Sequence, residues 1–212
     1  MIAPYRKVFI VGCPRSGTTW LAQMLRLHSQ VIASQRESHV YPLIYDPFTY
    51  MSMWNFRQRI KAGKWILRNY GMPALLIGLT PEILWRGILS TYKIYQRNDE
   101  VGPHLLVSYP DLKHLMNQVE DQYHQSDYYT KANHLIEQIF DLFFQKAGGT
   151  SHHLFLEKTP MHIRHVNVIL NHFPEAKVIE MIRDGRDVCA SHMSLVNTKR
   201  WARHKTSERV MQ

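Results

Sequence analysis

Lys7–Val11 (KVFIV) is a short, mainly apolar run closed by Gly12, and a run of that length bounded by glycine reads as a buried strand. From Thr18 onward the apolar residues Trp20, Leu21, Met24, Leu25 and Leu27 recur at helical spacing, and Val31–Ala33 forms a second short strand-like run. Strand, tight loop, helix and short strand together are the opening of an α/β unit. The far end of the chain repeats the arrangement. Leu154–Leu156 predicts a strand leading into Glu157–Pro160, Ile163–Phe173 predicts a helix, and Lys177–Ile182 predicts another strand. After the polar turn Arg183–Asp187 a further helix is expected from Val188. Two such units far apart in sequence predict one parallel sheet, with Lys7–Val11 and Lys177–Ile182 as near neighbours and helices on both faces.

Between the two units, Asp46–Ser151 is expected to be a mainly helical insertion. Leu112–Glu120 and Ala132–Phe144 carry apolar residues three and four apart. Tyr92, Tyr95, Tyr109, Tyr123, Tyr128 and Tyr129 are expected to pack as core or cap rather than line an acceptor groove. The most apolar segment, Trp65–Leu89, is broken by Arg68, Glu82, Arg86, Pro73 and Pro81. It therefore predicts no membrane span, and is the candidate apolar wall of a cap. The fold class is α/β: a P-loop-like parallel sheet flanked by helices, in a single domain over residues 1–212, with 46–151 as insertion or cap. No internal repeat or low-complexity segment interrupts it.

Composition narrows the class further. At 45% hydrophobic and 20% charged residues the chain is neither disordered nor fibrous. A formal charge of +9 predicts an anionic partner, without choosing among nucleotide, nucleic acid, lipid headgroup and sulfated polymer. No nucleic-acid-binding module is recognisable by pattern. Cys13 and Cys189 are too few for a disulfide framework and form no CxxC pair, so two free thiols in a reducing compartment are expected. No signal-peptide pattern opens the chain. The expected location is cytoplasmic; a Golgi-lumen protein trimmed of its anchor would read the same way.

The chemistry concentrates at the strand–helix junctions. Gly12–Thr19 (GCPRSGTT) stands between a strand and a helix, where backbone N–H groups and the helix dipole converge on one point. Gly17 permits close approach, Thr18 and Thr19 supply hydroxyl donors, and Arg15 supplies a fixed charge with a planar donor fork. The spacing is similar to GxxxxGK[ST], but Thr18 occupies the lysine position. No acidic strand end is placed to hold magnesium, so a P-loop phosphotransferase is a lesser alternative. A non-catalytic anion-binding protein is the other. Thirteen histidines invite a metal reading, yet neither His162 with His165 nor His152 with His153 has a Cys or acidic partner at ligand spacing, so no metal site is expected.

Pro14–Leu21 (PRSGTTWL) resembles the 5′-phosphosulfate loop of the sulfotransferase superfamily. Ile182–Ser191 (IRDGRDVCAS) resembles that family's 3′-phosphate site, with Arg183 and Ser191 at the family's spacing. Glu37–Pro42 (ESHVYP) and Lys158–Pro160 (KTP) are similar to segments of the branch holding tyrosylprotein and bacterial sulfotransferases. The resemblance implies 3′-phosphoadenosine 5′-phosphosulfate as sulfonate donor and a hydroxyl acceptor of unspecified type, with no obligatory metal. It implies that Arg15, Ser16, Gly17, Thr18 and Thr19 hold the 5′-phosphate and that Arg183 and Ser191 hold the 3′-phosphate. Glu37 is then the general base, for which its pKa would have to rise in a partly dry cleft. Lys158, with Arg15, stabilises the bridging oxygen. His39 is the rival base, because another branch uses a histidine in a similar segment, and His162 ranks third. The plainer alternatives are local ion pairs: Glu37 with Arg36, Lys158 with Glu157, Arg183 with Asp184 or Asp187. The family ordinarily continues past this last helix into a further strand and a basic loop, so the C-terminal part of the family domain is expected to be missing here.

Overall fold

The computed structural model describes residues 5–45, 64, 67–68, 81–96 and 101–198. Four strands form one all-parallel sheet: β1 (Arg6–Gly12), β2 (Val31–Ala33), β3 (Leu154–Lys158) and β4 (Lys177–Met181), in the order β2-β3-β1-β4. The central strand β1 sets Phe9 opposite Glu157 and Ile10 opposite Lys158 on one side, and Gly12 opposite Met181 on the other. The expected pairing of the first and last strand-like runs is therefore present. Phe9, Ile10 and Val11 are all fully buried. Phe9 and Val11 point into the larger core, while Ile10 packs with Ala22 and Leu156 on the opposite face. Burial on both faces is why β1 reads as a continuous apolar run rather than an alternating one.

Seven α-helices accompany the sheet among the described residues: α1 (Thr18–Leu25), α2 (Val40–Tyr45), α3 (Pro81–Tyr95), α4 (Tyr109–Gln122), α5 (Tyr128–Lys146), α6 (Val166–His172) and α7 (Gly185–Thr198). Helices α2 to α5 build the larger core through Tyr41, Ile88, Leu112, Val119, Ile136 and Phe140. The described part of the insertion is thus helical, as its periodicity predicts. Residues 65–66 and 69–80 of the proposed apolar wall lie outside the described residues. At its other end Ile88 is fully buried and Leu84, Trp85 and Leu89 pack against the core. Tyr92, Tyr95 and Tyr128 are buried, and the Tyr92 hydroxyl donates to the Val107 carbonyl at 2.6 Å; Tyr129 is exposed. Among the described residues no helix is long and apolar enough to cross a membrane.

Beyond shifts of one or two residues at the ends of β3 and β4, two helices differ from the sequence expectation. The helix expected over Ile163–Phe173 is divided into a 3₁₀ helix, Pro160–His165, and α6. Pro160 opens the 3₁₀ turn, where its missing N–H and fixed φ carry no cost. Helix α7 begins at Gly185, not Val188, because Asp184 caps it. The Asp184 carboxylate accepts the Arg186 N–H at 2.8 Å and its carbonyl accepts the Val188 N–H at 3.1 Å. The polar turn is the first turn of the helix.

Gly12 is required by the packing of β1 on β4. Its φ is 142°, and a Cβ there would stand 2.5 Å from the Met181 carbonyl oxygen. A strained backbone position of this kind costs roughly 1–3 kcal/mol, so Gly12→Ala is expected to lower stability by at least that amount in urea denaturation. An unchanged midpoint would mean that β4 yields freely.

Candidate active site

Parallel strands deliver their C-terminal ends to one edge of the sheet, and the loops leaving that edge meet there. The loop after β1 carries Arg15–Gly17, the segment after β2 carries Glu37–His39, β3 ends on Lys158, and the turn after β4 carries Arg183. Every candidate residue named above except His162 comes together on this edge. Arg15 at φ 75° and His39 at φ 52° are the non-glycine residues with positive φ among those described, and both belong to this cluster. Strained backbone of this type concentrates at functional sites.

The first part of the cluster is an anion cradle. Gly17 adopts φ 102° and caps α1, whose first turn has neither a side-chain cap nor an acidic residue. The leading N–H groups of the helix therefore remain available to an anion. Ser16 is buried, and its hydroxyl oxygen is enclosed without a hydrogen-bond partner. A buried hydroxyl is normally paired, so an orphan in the loop that leads into α1 fits a bound phosphate. Arg15 Nε donates to Ser191 Oγ at 2.9 Å, and Arg183 Nη1 reaches the Arg15 carbonyl at 3.4 Å. The loop after β1 and the helix after β4 are thereby tied together across 176 residues of sequence. Arg183 also lies 3.5 Å from Asp187, a long and exposed ion pair of little energetic weight.

The second part is a chain of charges. Lys158 Nζ donates to Glu37 Oε1 at 3.0 Å and to Thr19 Oγ1 at 3.2 Å, so one ammonium touches both the carboxylate and the cradle. His39 Nε2 stands 3.1 Å from Glu37 Oε2. Burial pushes the His39 pKa below its ordinary value despite the pull of Glu37. A neutral imidazole then donates Nε2–H to an ionised carboxylate. The Glu37 carboxyl is itself below the usual range: burial raises it, but the His39 hydrogen bond and the Lys158 charge outweigh burial. This reverses the rise expected from a dry cleft, because the cleft is dry but not apolar. Glu37 pairs with His39 and Lys158, not Arg36. Lys158 avoids Glu157 because consecutive strand residues face opposite ways.

Beneath the cluster lies a buried network that sequence reasoning missed. Glu157 is fully buried, and its Oε1 accepts from Ser38 Oγ at 2.6 Å and Thr159 Oγ1 at 2.7 Å. His162 Nδ1 lies 2.8 Å from Oε2, a distance suited to an ion pair though not aligned as a hydrogen bond. His162 is enclosed here, away from the cleft. The adjacent hydroxyl residues in ESH and KTP were the only signal available in the sequence. Burial alone would raise the Glu157 pKa, but the His162 charge and contact and the two hydroxyls bring it from 4.5 down to about 2. A depressed carboxylate stabilises the fold above its unfolded pKa and loses that contribution as pH falls through its folded value. Glu157→Gln is accordingly expected to be less stable than the parent at neutral pH, with the difference closing between about pH 4.5 and 2. Urea midpoints across that window test this, and a constant difference would contradict it.

Comparison with known proteins agrees with the geometry. A family model described as the sulfotransferase family matches residues 7–211, so the match takes in the helical insertion as well as the motifs at both ends. No curated protein matches the chain.

Proposed function

Since the chain belongs to the sulfotransferase family, we propose that it transfers a sulfonate group from 3′-phosphoadenosine 5′-phosphosulfate to the hydroxyl of an acceptor. The observation that carries this reading is the 2.9 Å contact between Arg15 and Ser191, which unites two anion-binding motifs in one cradle. A donor with phosphates at both its 5′ and 3′ positions suits such a double cradle. Arg15, Ser16, Gly17, Thr18 and Thr19 hold the 5′-phosphate, and the orphaned Ser16 hydroxyl gains a partner there. Arg183 and Ser191 hold the 3′-phosphate, with Arg183 exchanging its weak Asp187 contact for a charge-assisted pair.

When bound, the donor supplies an SO₃ group whose bond to the 5′-phosphate oxygen breaks as the bond to the acceptor oxygen forms. Glu37 receives the acceptor's proton, and His39 holds the carboxylate by its second oxygen. Lys158, beside Thr19, meets the negative charge that develops on the bridging oxygen. A lysine from β3 thus reaches the loop whose own lysine position is filled by Thr18, which favours this reading over phosphoryl transfer. The carboxylate at Glu37 also favours the glutamate-using branch of the family, with His39 in a supporting role.

A screen of phenolic, sugar and tyrosine-peptide acceptors with radiolabelled donor tests the reading. Label is expected on a hydroxyl acceptor, with release of adenosine 3′,5′-bisphosphate. Transfer of phosphate from ATP instead would overturn it.

A further inference from the structure

The Glu37–His39 turn lies outside any helix or strand ladder beyond a single bridge, yet it must hold a carboxylate in one place. Its anchors are visible. On one side the Glu37 carbonyl accepts the Gly102 N–H at 2.9 Å, within an isolated bridge between Glu37 and Val101. On the other side, the N–H groups of Ser38 and His39 both point at Thr159 Oγ1, at 3.0 and 3.4 Å. Thr159 is fully buried. Its single hydroxyl proton goes to Glu157 Oε1 at 2.7 Å, which leaves its lone pairs for those two N–H groups. Ser38 Oγ donates to the same carboxylate oxygen at 2.6 Å and closes the arrangement. Thr159 also directly follows Lys158, so one residue fixes the turn bearing the carboxylate against the strand end bearing the ammonium.

We propose that Thr159 is a positioning residue: its hydroxyl, oriented by the buried Glu157 carboxylate, sets where the Glu37 carboxylate stands relative to Lys158 and His39. The inference rests on the reading of Glu37 as the proton acceptor, but it concerns this chain's own geometry and is testable without donor or acceptor. Thr159→Val keeps the shape and removes the hydroxyl. The Ser38 and His39 N–H groups then lose their acceptor, and the turn is free to carry Glu37 away from its two partners. Thr159→Ser keeps the hydroxyl and is expected to keep the geometry.

The test is a carbon-13 NMR titration of the Glu37 side-chain carboxyl in the full chain, paired with calorimetric binding of adenosine 3′,5′-bisphosphate. In the parent protein and in Thr159→Ser, Glu37 is expected to titrate below the usual carboxylate range. In Thr159→Val it is expected to rise by about one pH unit or more, as a carboxylate does when a nearby cation is withdrawn. Bisphosphate affinity is expected to stay within a factor of about two, because a change near 0.4 kcal/mol is all that such a factor represents. A folded Thr159→Val with the parent's Glu37 titration overturns the proposal, as does a Thr159→Ser that behaves like Thr159→Val. Should Thr159→Val fail to fold, Thr159→Ala, which leaves room for water at the two N–H groups, is read the same way. A shifted titration alongside a fully active Glu37→Gln would sink the base assignment while upholding the positioning.

Discussion

Glu37→Gln is expected to lower the turnover of sulfonate transfer by about 10²-fold or more, with donor affinity nearly unchanged. The amide is almost the same size, still reaches Lys158 and His39, and cannot accept a proton. Because Glu37 sits below the usual carboxylate range in the free protein, it remains ionised and competent at mildly acidic pH. The acid limb of kcat/KM against pH should therefore fall below the usual carboxylate range, since activity is lost only as this group becomes protonated. Steady-state kinetics with any acceptor from the screen measures both quantities. His39→Ala is expected to have a smaller effect, through loss of one hydrogen bond to the carboxylate. If Glu37→Gln turned over almost normally while His39→Ala abolished turnover, the imidazole would be the base and the carboxylate its orienting partner.

Arg183→Ala is expected to weaken adenosine 3′,5′-bisphosphate by roughly 10- to 100-fold, since a hydrogen bond to a charged group contributes about 1.5–3 kcal/mol. Adenosine 5′-phosphate should bind this variant almost as it binds the parent. The guanidinium is 43% exposed and, among the described residues, is held by Asp187 at 3.5 Å and by the Arg15 carbonyl, so little else there depends on it. Calorimetry with the two nucleotides reads the difference. Equal losses for both would place Arg183 outside the 3′-phosphate site.

The sheet was legible because its central strand is buried on both faces: the run through Phe9, Ile10 and Val11 has no polar alternation to confuse with a surface strand. The edge on which the residues meet followed from that, since parallel strands must end together. The start of α7 was not legible because Asp184 signals both a turn and a helix cap, and only its bond to the Arg186 N–H decides between them. The direction in which the Glu37 pKa moves was not legible for a related reason. Burial is readable from neighbours in sequence, but Lys158 lies 121 residues away and reaches Glu37 only through the β2-β3-β1 order. The same distance hid the Ser38–Glu157–Thr159 network. Side-chain alternation in β3 does account, from sequence alone, for Lys158 and Glu157 serving different sites.

Titration of the parent protein with adenosine 3′,5′-bisphosphate, adenosine 5′-phosphate and magnesium ATP tests most directly whether this is a two-phosphate cradle for a sulfonate donor. The bisphosphate is expected to bind without magnesium and at least about tenfold tighter than the 5′-phosphate, the margin that one added charge-assisted contact provides. Magnesium ATP binding tighter than the bisphosphate, with the 3′-phosphate adding nothing, would contradict it.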